Sequence, residues 1–312
     1  MKYGALLPHF GHGATWERVF TLGQRLEAWG YDSVWVRDHL DYRPHEFEPG
    51  GRMFIDPFIA LSAVAATTET LGLGTAVLTP MRHPLLTAQA VGALSFLSKG
   101  RLQLGLGPGT PRRPWELIER PYDDRVALCR ETGEVIRLLS SGKAESYEAE
   151  HTKFQDVTLD PAPPRDMLIW YGGASPTAMR ALDGYADGIM PARCPLRVLD
   201  DRVVPMIASA RAAGRPARLA VQPLVSIAAT RNAAINALPL EQLAAAATKR
   251  WRSPFSGLED LRGAVVAGDP DDCRRQIAEL EHRGAELFIV DLRLDADRLE
   301  DAYQAFAENV IR

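Results

Sequence analysis

An acid and an imidazole stand side by side in this sequence, Asp38 and His39, directly after the run 33–37, whose three central residues are apolar. An imidazole can give a proton to a bound molecule or take one from it, and a neighbouring carboxylate can orient the ring. The same dipeptide also fits a helix cap beside a surface histidine. The residues by themselves therefore leave a catalytic and a structural interpretation open.

A second candidate site lies at 169–176, where an apolar strand gives way to two glycines and the start of a helix. Free backbone N–H groups and the positive end of a helix are typical of an anion or phosphate site. We expect Gly172, Gly173, Ala174 and Ser175 to form it, with Ser175 as the helix cap. The alternative is an ordinary capped turn, and the run lacks the G-x-G-x-x-G dinucleotide fingerprint.

Glycines and small residues also mark 73–80 and 105–109. Within a strand they indicate a bulge or the close approach of a ligand, or else simply tight packing against a neighbour. The second run lacks the Gly-Lys-Ser/Thr ending of a nucleotide triphosphatase. We expect Gly107 to let backbone approach a flat cofactor, or to belong to a plain loop.

Other catalytic classes find little support. The histidines lie on separate loops without a second ligand at i+3 or i+4, so no metal site is expected. A serine hydrolase is excluded because the G-x-S-x-G elbow is missing. The residues that we expect near a substrate are His9, His12, Tyr42, Arg112 and Trp115.

Eight short apolar strands, each followed by a helical stretch, predict a (β/α)₈ TIM barrel. The expected strands cover 3–7, 33–37, 71–79, 102–106, 167–171, 188–191, 219–227 and 287–292. Insertions follow the fourth strand, with a hairpin over 144–159, and the seventh, where 231–262 is expected to fold over the mouth. No linker interrupts the chain, so a single domain over 1–312 is predicted.

Composition limits the partners. The 312 residues carry a net charge of −4, which does not favour a nucleic acid or an anionic membrane. Three scattered cysteines do not make a disulfide framework. The first residues run directly into a strand, and no apolar run approaches the roughly 20 residues of a membrane span. A cytoplasmic protein is expected.

Short motifs along nearly the whole chain resemble the bacterial luciferase-like flavin and deazaflavin oxidoreductases. They lie, in the family's order, at 28–39, 73–84, 99–107, 172–176 and 268–271. The resemblance implies a (β/α)₈ barrel whose mouth binds a reduced flavin or coenzyme F420, a 5-deazaflavin. It also implies a homodimer, with the apolar second and third helices as a candidate interface, and a separate flavin or F420 reductase that supplies the cofactor.

The same resemblance assigns roles to particular residues. A cis peptide between Ala76 and Val77 would form a bulge against the cofactor ring, with Thr79 beside it, and the turn from Gly172 to Ser175 would hold the cofactor phosphate. His39 would be the proton donor or acceptor. Asp38 would orient it or touch the cofactor.

The Asp-His pair and the 73–80 run are most similar to the deazaflavin branch, and Pro108 stands where the luciferase branch tends to have an arginine. Thr110 stands where sugar-phosphate dehydrogenases of that branch have a glutamate, and Tyr42-Arg43 where they have a tryptophan, so sugar-phosphate oxidation is not expected. The leading hypothesis is F420-dependent hydride transfer with a small organic substrate. The alternatives are a two-component monooxygenase that uses reduced FMN and oxygen, and a flavin-binding barrel without turnover.

Overall fold

The computed structural model describes residues 1–48 and 50–312. Within them the strands are β1 (Lys2–Leu6), β2 (Ser33–Val36), β3 (Gly72–Thr75), β4 (Leu102–Leu106), β5 (Glu145–Glu148), β6 (Lys153–Val157), β7 (Ile169–Tyr171), β8 (Gly188–Ile189), β9 (Arg218–Val221), β10 (Leu224–Ile227), β11 (Val265–Gly268) and β12 (Ala285–Val290).

The α-helices in the same residues are α1 (Trp16–Trp29), α2 (Pro57–Thr67), α3 (Pro84–Leu97), α4 (Arg113–Leu117), α5 (Arg125–Leu139), α6 (Thr177–Gly184), α7 (Leu196–Val198), α8 (Val204–Ala212), α9 (Arg231–Asn236), α10 (Leu240–Trp251), α11 (Gly257–Asp260), α12 (Pro270–His282) and α13 (Leu299–Phe306). Tyr122–Asp124 and Arg293–Arg298 are 3₁₀ turns, and Leu199–Val203 and Ala307–Ile311 are π turns.

Eight of these strands form a closed parallel barrel in the order β1, β2, β3, β4, β7, β8, β9 and β12. The (β/α)₈ prediction is confirmed, with its insertions after the fourth and seventh barrel strands. The first insertion contains the expected hairpin, β5 paired antiparallel with β6. None of the helices in the described residues is long and apolar enough to cross a membrane.

Two tryptophans fill the barrel interior. Trp35 and Trp170 pack there with Leu6, Met190, Ala220, Leu287 and Ile289. A Cβ at Gly74 would collide with the Trp35 indole, and one at Gly188 would lie 2.6 Å from Trp170 Cε3. Gly74 in the third strand is therefore explained by tight packing, the second of the two interpretations open at 73–80.

Helix signals in the sequence are mostly confirmed. Thr15 accepts a hydrogen bond from Arg18 N–H at the start of α1, and Gly30 ends that helix with φ +92°. Asp269 caps α12, with Pro270 in its first turn. The serine cap was wrong: α6 follows Pro176 without a side-chain cap, and the Ser175 hydroxyl lies 2.5 Å from Thr177 Oγ1.

The seventh predicted strand, 219–227, is in fact two strands. Pro223 lies between them and has no N–H for a ladder hydrogen bond. β9 stays in the barrel, whereas β10 leaves it and pairs in parallel with β11, a strand that was not predicted. This side sheet carries the second insertion, and α10 brings Arg250 to the barrel mouth as expected for a segment that folds over it.

Candidate active site

A cleft of about 200 Å³ opens where the barrel strands end at their carboxyl side. We call it the mouth cleft. Its lining comes from loops after most barrel strands: Arg37, Asp38, His39, His45, Ala76, Val77, Thr79, Met81, Pro108, Gly109, Thr110, Pro111, Pro114, Trp115, Gly172, Met190, Ala192, Arg193, Gln222, Arg250 and Arg293. This is the end of a TIM barrel at which chemistry is carried out.

An apolar platform forms one wall of the mouth cleft. The Ala76–Val77 peptide bond is cis, as the resemblance implied, and both side chains line the cleft. A Cβ at Gly107 or Gly172 would lie 2.7 Å from a methyl group of Val77. These two glycines therefore leave the space that the Val77 side chain occupies, and this packing explains why glycine stands at both positions.

The Asp38 carboxylate ties two loops together. It is only 4% exposed and accepts hydrogen bonds from Thr79 N–H at 3.0 Å, Thr79 Oγ1 at 2.9 Å and Arg82 Nη1 at 2.9 Å. Arg82 also donates to Asp56, which caps α2. The contacts of Asp38 thus fix the loop after β3 against the end of β2, and none of them is to the His39 ring.

His39 has a different partner, the arginine two residues before it. Arg37 Nη2 lies 2.9 Å from His39 Nε2, and the rings of Tyr42 and Phe54 lie 5.7 and 5.6 Å from the imidazole. Burial, followed by the charges of Arg37 and Arg293, holds the pKa of His39 well below its ordinary value. The imidazole is therefore neutral at neutral pH.

A buried ionic layer lies beneath the mouth cleft, centred on Glu48. Its side chain, 2% exposed, pairs with Arg293, lies 3.5 Å from Arg37 Nη1 and accepts from Tyr42 Oη at 2.5 Å. Burial alone would raise the pKa of Glu48, but Arg293 and Arg37 outweigh it and hold the pKa well below the ordinary range. Asp291 binds the other side of Arg293.

The side of the cleft toward the second insertion is strongly cationic. Arg193 and Arg250 line both the mouth cleft and an adjoining chamber of about 620 Å³, and neither has a carboxylate within 4.0 Å in the described residues. The chamber adds Arg125, Lys249 and Arg252, and its described lining contains no aspartate or glutamate. Such a concentration of one charge in a concave wall attracts anions.

Two buried polar atoms of the cleft lining have no hydrogen-bond partner in the described part of the chain, Arg37 Nη1 and Gln222 Oε1. Their residues are 7% and 3% exposed. An unpartnered buried donor or acceptor is costly and uncommon in folded proteins. Arg37 Nη1 still has the Glu48 carboxylate 3.5 Å away, so Gln222 Oε1 is the acceptor that a bound ligand with a donor group would satisfy.

The predicted substrate residues are distributed over several places. Trp115 lines the mouth cleft. His12 and Tyr42 line a separate cavity of about 30 Å³ beside β1 and β12, too small for a flat ring system. Arg112 is exposed, with its guanidinium 4.6 Å from the centre of the Tyr122 ring.

His9 lies outside the residues that line the mouth cleft, contrary to the expectation for it. It is fully buried, and its Nδ1 lies 2.9 Å from the Ile55 carbonyl oxygen while its Nε2 accepts from Arg37 N–H at 2.9 Å. Burial lowers its pKa to about 3. His9 therefore holds the end of β2 in place as a neutral ring.

The turn expected to bind phosphate follows β7 at the edge of the mouth cleft. Gly172 lines the cleft, whereas Gly173, Ala174 and Ser175 are not among its lining residues. Ser175 is exposed and Ala174 is buried. The turn thus lies where a group extending from the cleft toward solvent would pass.

Sequence reasoning missed the residues that give the cleft its charge: Arg37, Arg193, Gln222, Arg250 and Arg293. Arg37 lies inside the 28–39 motif but was assigned no role there, and the other four belong to no short motif because they come from separate parts of the chain. Four of them follow a barrel strand within one to four residues. A polar residue directly after a predicted barrel strand is the signal that would have found them.

Comparison with known families settles the relationship of the chain. A family model described as luciferase-like monooxygenase matches residues 1–287. The chain belongs to this family. The luciferase-like resemblance drawn from the sequence motifs is therefore confirmed.

Two relatives of this luciferase-like protein have names that mention specific reactions. It is 32% identical over 190 residues to an F420-dependent glucose-6-phosphate dehydrogenase of Nakamurella multipartita, covering 58% of this chain and 55% of that protein. It is 30% identical over 162 residues to a 5,10-methylenetetrahydromethanopterin reductase of Archaeoglobus fulgidus, covering 52% of this chain and 45% of that one. The chain thus spans about half the length of these relatives.

Solved structures share the fold. The coenzyme F420 dependent tetrahydromethanopterin reductase from Methanopyrus kandleri superposes with a TM-score of 0.77 at 20% identity, over 99% of this chain and 98% of that one. The oxygenating constituent of 3,6-diketocamphane monooxygenase from Pseudomonas putida, in complex with FMN, gives 0.75 at 18% identity over 99% and 97%. The barrel is common to both.

Proposed function

We propose that this luciferase-like protein is a coenzyme F420-dependent oxidoreductase that transfers a hydride between the deazaflavin and a small organic substrate. The observation that carries the proposal is the pairing, in one cleft, of the Ala76–Val77 platform with the neutral His39 imidazole. The F420-dependent relatives support the choice of cofactor.

The cleft residues fit a flat ring with polar edges. Ala76, Val77 and Met190 offer apolar surface to its face, while Gln222 Oε1, which has no hydrogen-bond partner in the described residues, is an acceptor for its edge. The turn from Gly172 to Ser175 would hold the cofactor phosphate. When bound, the deazaflavin supplies the hydride chemistry, and the protein supplies binding, orientation and electrostatics.

The charge of the cleft favours an anionic substrate. Arg193 and Arg250 face the cleft and its adjoining chamber without acidic partners in the described residues, so a carboxylate or phosphate of the substrate would pair with them. Thr110 lies in the same wall, where the resemblance places a glutamate in sugar-phosphate dehydrogenases. The substrate is therefore an anion whose reaction does not need a carboxylic acid at that position.

The competing function is an oxygen-using monooxygenase with reduced FMN, favoured by the likeness to the FMN-bound structure. A deazaflavin has carbon in place of N5 and does not readily form an oxygen adduct. The test is to incubate the protein with reduced F420 and a panel of carboxylate and phosphate compounds without oxygen. Substrate-dependent oxidation of F420 supports the proposal, whereas product formation that requires FMN and consumes oxygen overturns it.

The barrel without turnover is tested in the same assay through His39. Replacing it by alanine should lower the rate of hydride transfer, because His39 is a polar group that lines the same cleft as the platform. Full activity of that variant would remove His39 from the reaction. Cofactor binding with no turnover across the panel would favour the non-catalytic alternative.

The protein also forms a homodimer, in our proposal, through α2 and α3. Neither helix contains a charged residue, and Ile59, Leu86, Phe96 and Leu97 are each more than half exposed. Apolar surface of this kind commonly marks an interface. A separate F420 reductase would supply reduced cofactor, and the three free cysteines agree with a reducing cytoplasm.

A further inference from the structure

The contact between Arg37 and His39 determines which protons the imidazole can carry. A guanidinium group has only N–H donors and no acceptor. Arg37 Nη2 lies 2.9 Å from His39 Nε2, so that nitrogen accepts a hydrogen bond and carries no proton. The proton of the neutral ring must then lie on Nδ1, for which the described residues provide no hydrogen-bond partner.

Several contacts fix the position of the Arg37 side chain, so its contact with His39 does not depend on a mobile side chain. Its Nη1 lies 3.5 Å from Glu48 Oε1, and its guanidinium carbon lies 4.6 Å from the centre of the Phe10 ring and 5.5 Å from that of Tyr42. Its backbone N–H donates to His9. The residue is 7% exposed.

The charged and titratable groups around His39 do not reverse this effect. Arg37, His45 and Glu48 face it from its own loop, and Arg293 faces it from the loop after β12. Glu48 is the only acid of this set, and it is engaged by both arginines. The surroundings therefore oppose a second proton on the ring, in agreement with the lowered pKa of His39.

We infer that Arg37 is a positioning residue that holds His39 as the neutral Nδ1–H tautomer, which makes His39 a hydrogen-bond donor to the reacting substrate oxygen and not a general base. The role at the substrate rests on the proposed function, whereas the tautomer rests on the Arg37 contact alone. A general base needs a free lone pair, and the only one on this ring points at Arg37.

This assignment changes what His39 contributes. When a hydride adds to a carbonyl carbon, the π electron pair moves to the oxygen, which becomes negative. A hydrogen bond from Nδ1–H stabilises that charge while the proton that completes the alcohol comes from water. The pH profile of the hydride-transfer rate should then show no change caused by histidine titration between pH 5 and 8, the window in which an unperturbed histidine titrates.

The test is a long-range ¹H–¹⁵N correlation spectrum of the uniformly ¹⁵N-labelled protein without cofactor, with His39 assigned by the signals lost in His39→Gln. Protonated and unprotonated ring nitrogens give separate shifts. We expect His39 to carry its proton on Nδ1 and not to titrate between pH 5 and 8. A wild-type ring with its proton on Nε2, or one that titrates in this window, would overturn the inference without need of any variant.

The Arg37→Met variant tests whether Arg37 sets the protonation of the His39 ring. Without the guanidinium, we expect His39 to titrate with a pKa closer to the ordinary value of about 6.5. Arg112→Met is the matched control, because it removes an exposed arginine of the same barrel end that does not contact His39, and it should leave the His39 signals unchanged. An Arg37→Met spectrum identical to wild type would exclude Arg37 as the positioning residue. Failure to bind F420 would refute the proposed function and leave this result standing.

Discussion

Replacing Glu48 by glutamine should remove much of the stability of the barrel mouth. The side chain is 2% exposed and accepts from Arg293, Tyr42 Oη and the His45 N–H, with Arg37 close by. A glutamine amide has one acceptor oxygen, so its NH₂ group must face one of these donors. Breaking a buried ion pair costs about 3–5 kcal/mol. Because Arg293 retains its ion pair with Asp291, we expect Glu48→Gln to lower the free energy of unfolding by about 3 kcal/mol in urea denaturation at pH 7.

The pH dependence gives a second, independent signature. The folded-state pKa of Glu48 lies well below that of an unfolded glutamate, about 4.3. The stabilisation by the ionised carboxylate is therefore complete above that value and is lost as the pH falls. The difference between wild type and Glu48→Gln should shrink by about 1.4 kcal/mol for each pH unit below about 4.3.

Glu46→Gln is the matched control, because Glu46 is an exposed acid of the same loop. It should change the free energy of unfolding by less than about 0.5 kcal/mol. Equal unfolding free energies for Glu48→Gln and Glu46→Gln at pH 7 would refute the reasoning, since Glu48 would then not pair with the arginines in solution.

Three further outcomes follow from packing and charge. Gly74→Val should lower the free energy of unfolding by about 1–3 kcal/mol in urea denaturation, because its side chain meets Trp35. Gly184→Ala, with open space around the new methyl group, should leave that free energy unchanged. Equal losses for the two variants would argue against the packing. Arg193→Met should weaken inorganic phosphate binding about tenfold in a calorimetric titration, and unchanged binding would exclude this arginine from anion recognition. Phe96→Asp should convert a dimer to a monomer in sedimentation velocity, and an unchanged dimer would place the interface elsewhere.

Local patterns predicted much of the barrel. The fourth strand was placed at its observed bounds, 102–106, because a short buried parallel strand is nearly continuously apolar and is followed by glycine. The seventh failed at Pro223, where an apolar run continues past a residue that cannot join the ladder. β11 was not predicted from the sequence, because its pairing partner, β10, lies some 40 residues away in the chain.

The site was predicted only as far as motifs reach. Asp38 and His39 do line the cleft, yet the partners of Asp38 are Thr79 and Arg82, some 40 residues away in sequence, and His39 contacts Arg37 and not Asp38. The cationic wall could not be predicted from motifs either, because it forms only where residues of separate loops converge in the folded chain. The role of His39 in the reaction stays a prediction.

A side-by-side fluorescence titration of the purified protein with coenzyme F420 and with FMN shows which cofactor the mouth cleft binds. We expect tight binding of F420 and weak binding of FMN, with a weaker F420 complex when Gln222, whose Oε1 has no hydrogen-bond partner in the described residues, is replaced by leucine. Tight binding of FMN alone would contradict the account and assign the cleft to an oxygen-using enzyme. Binding of neither would refute the proposed cofactor.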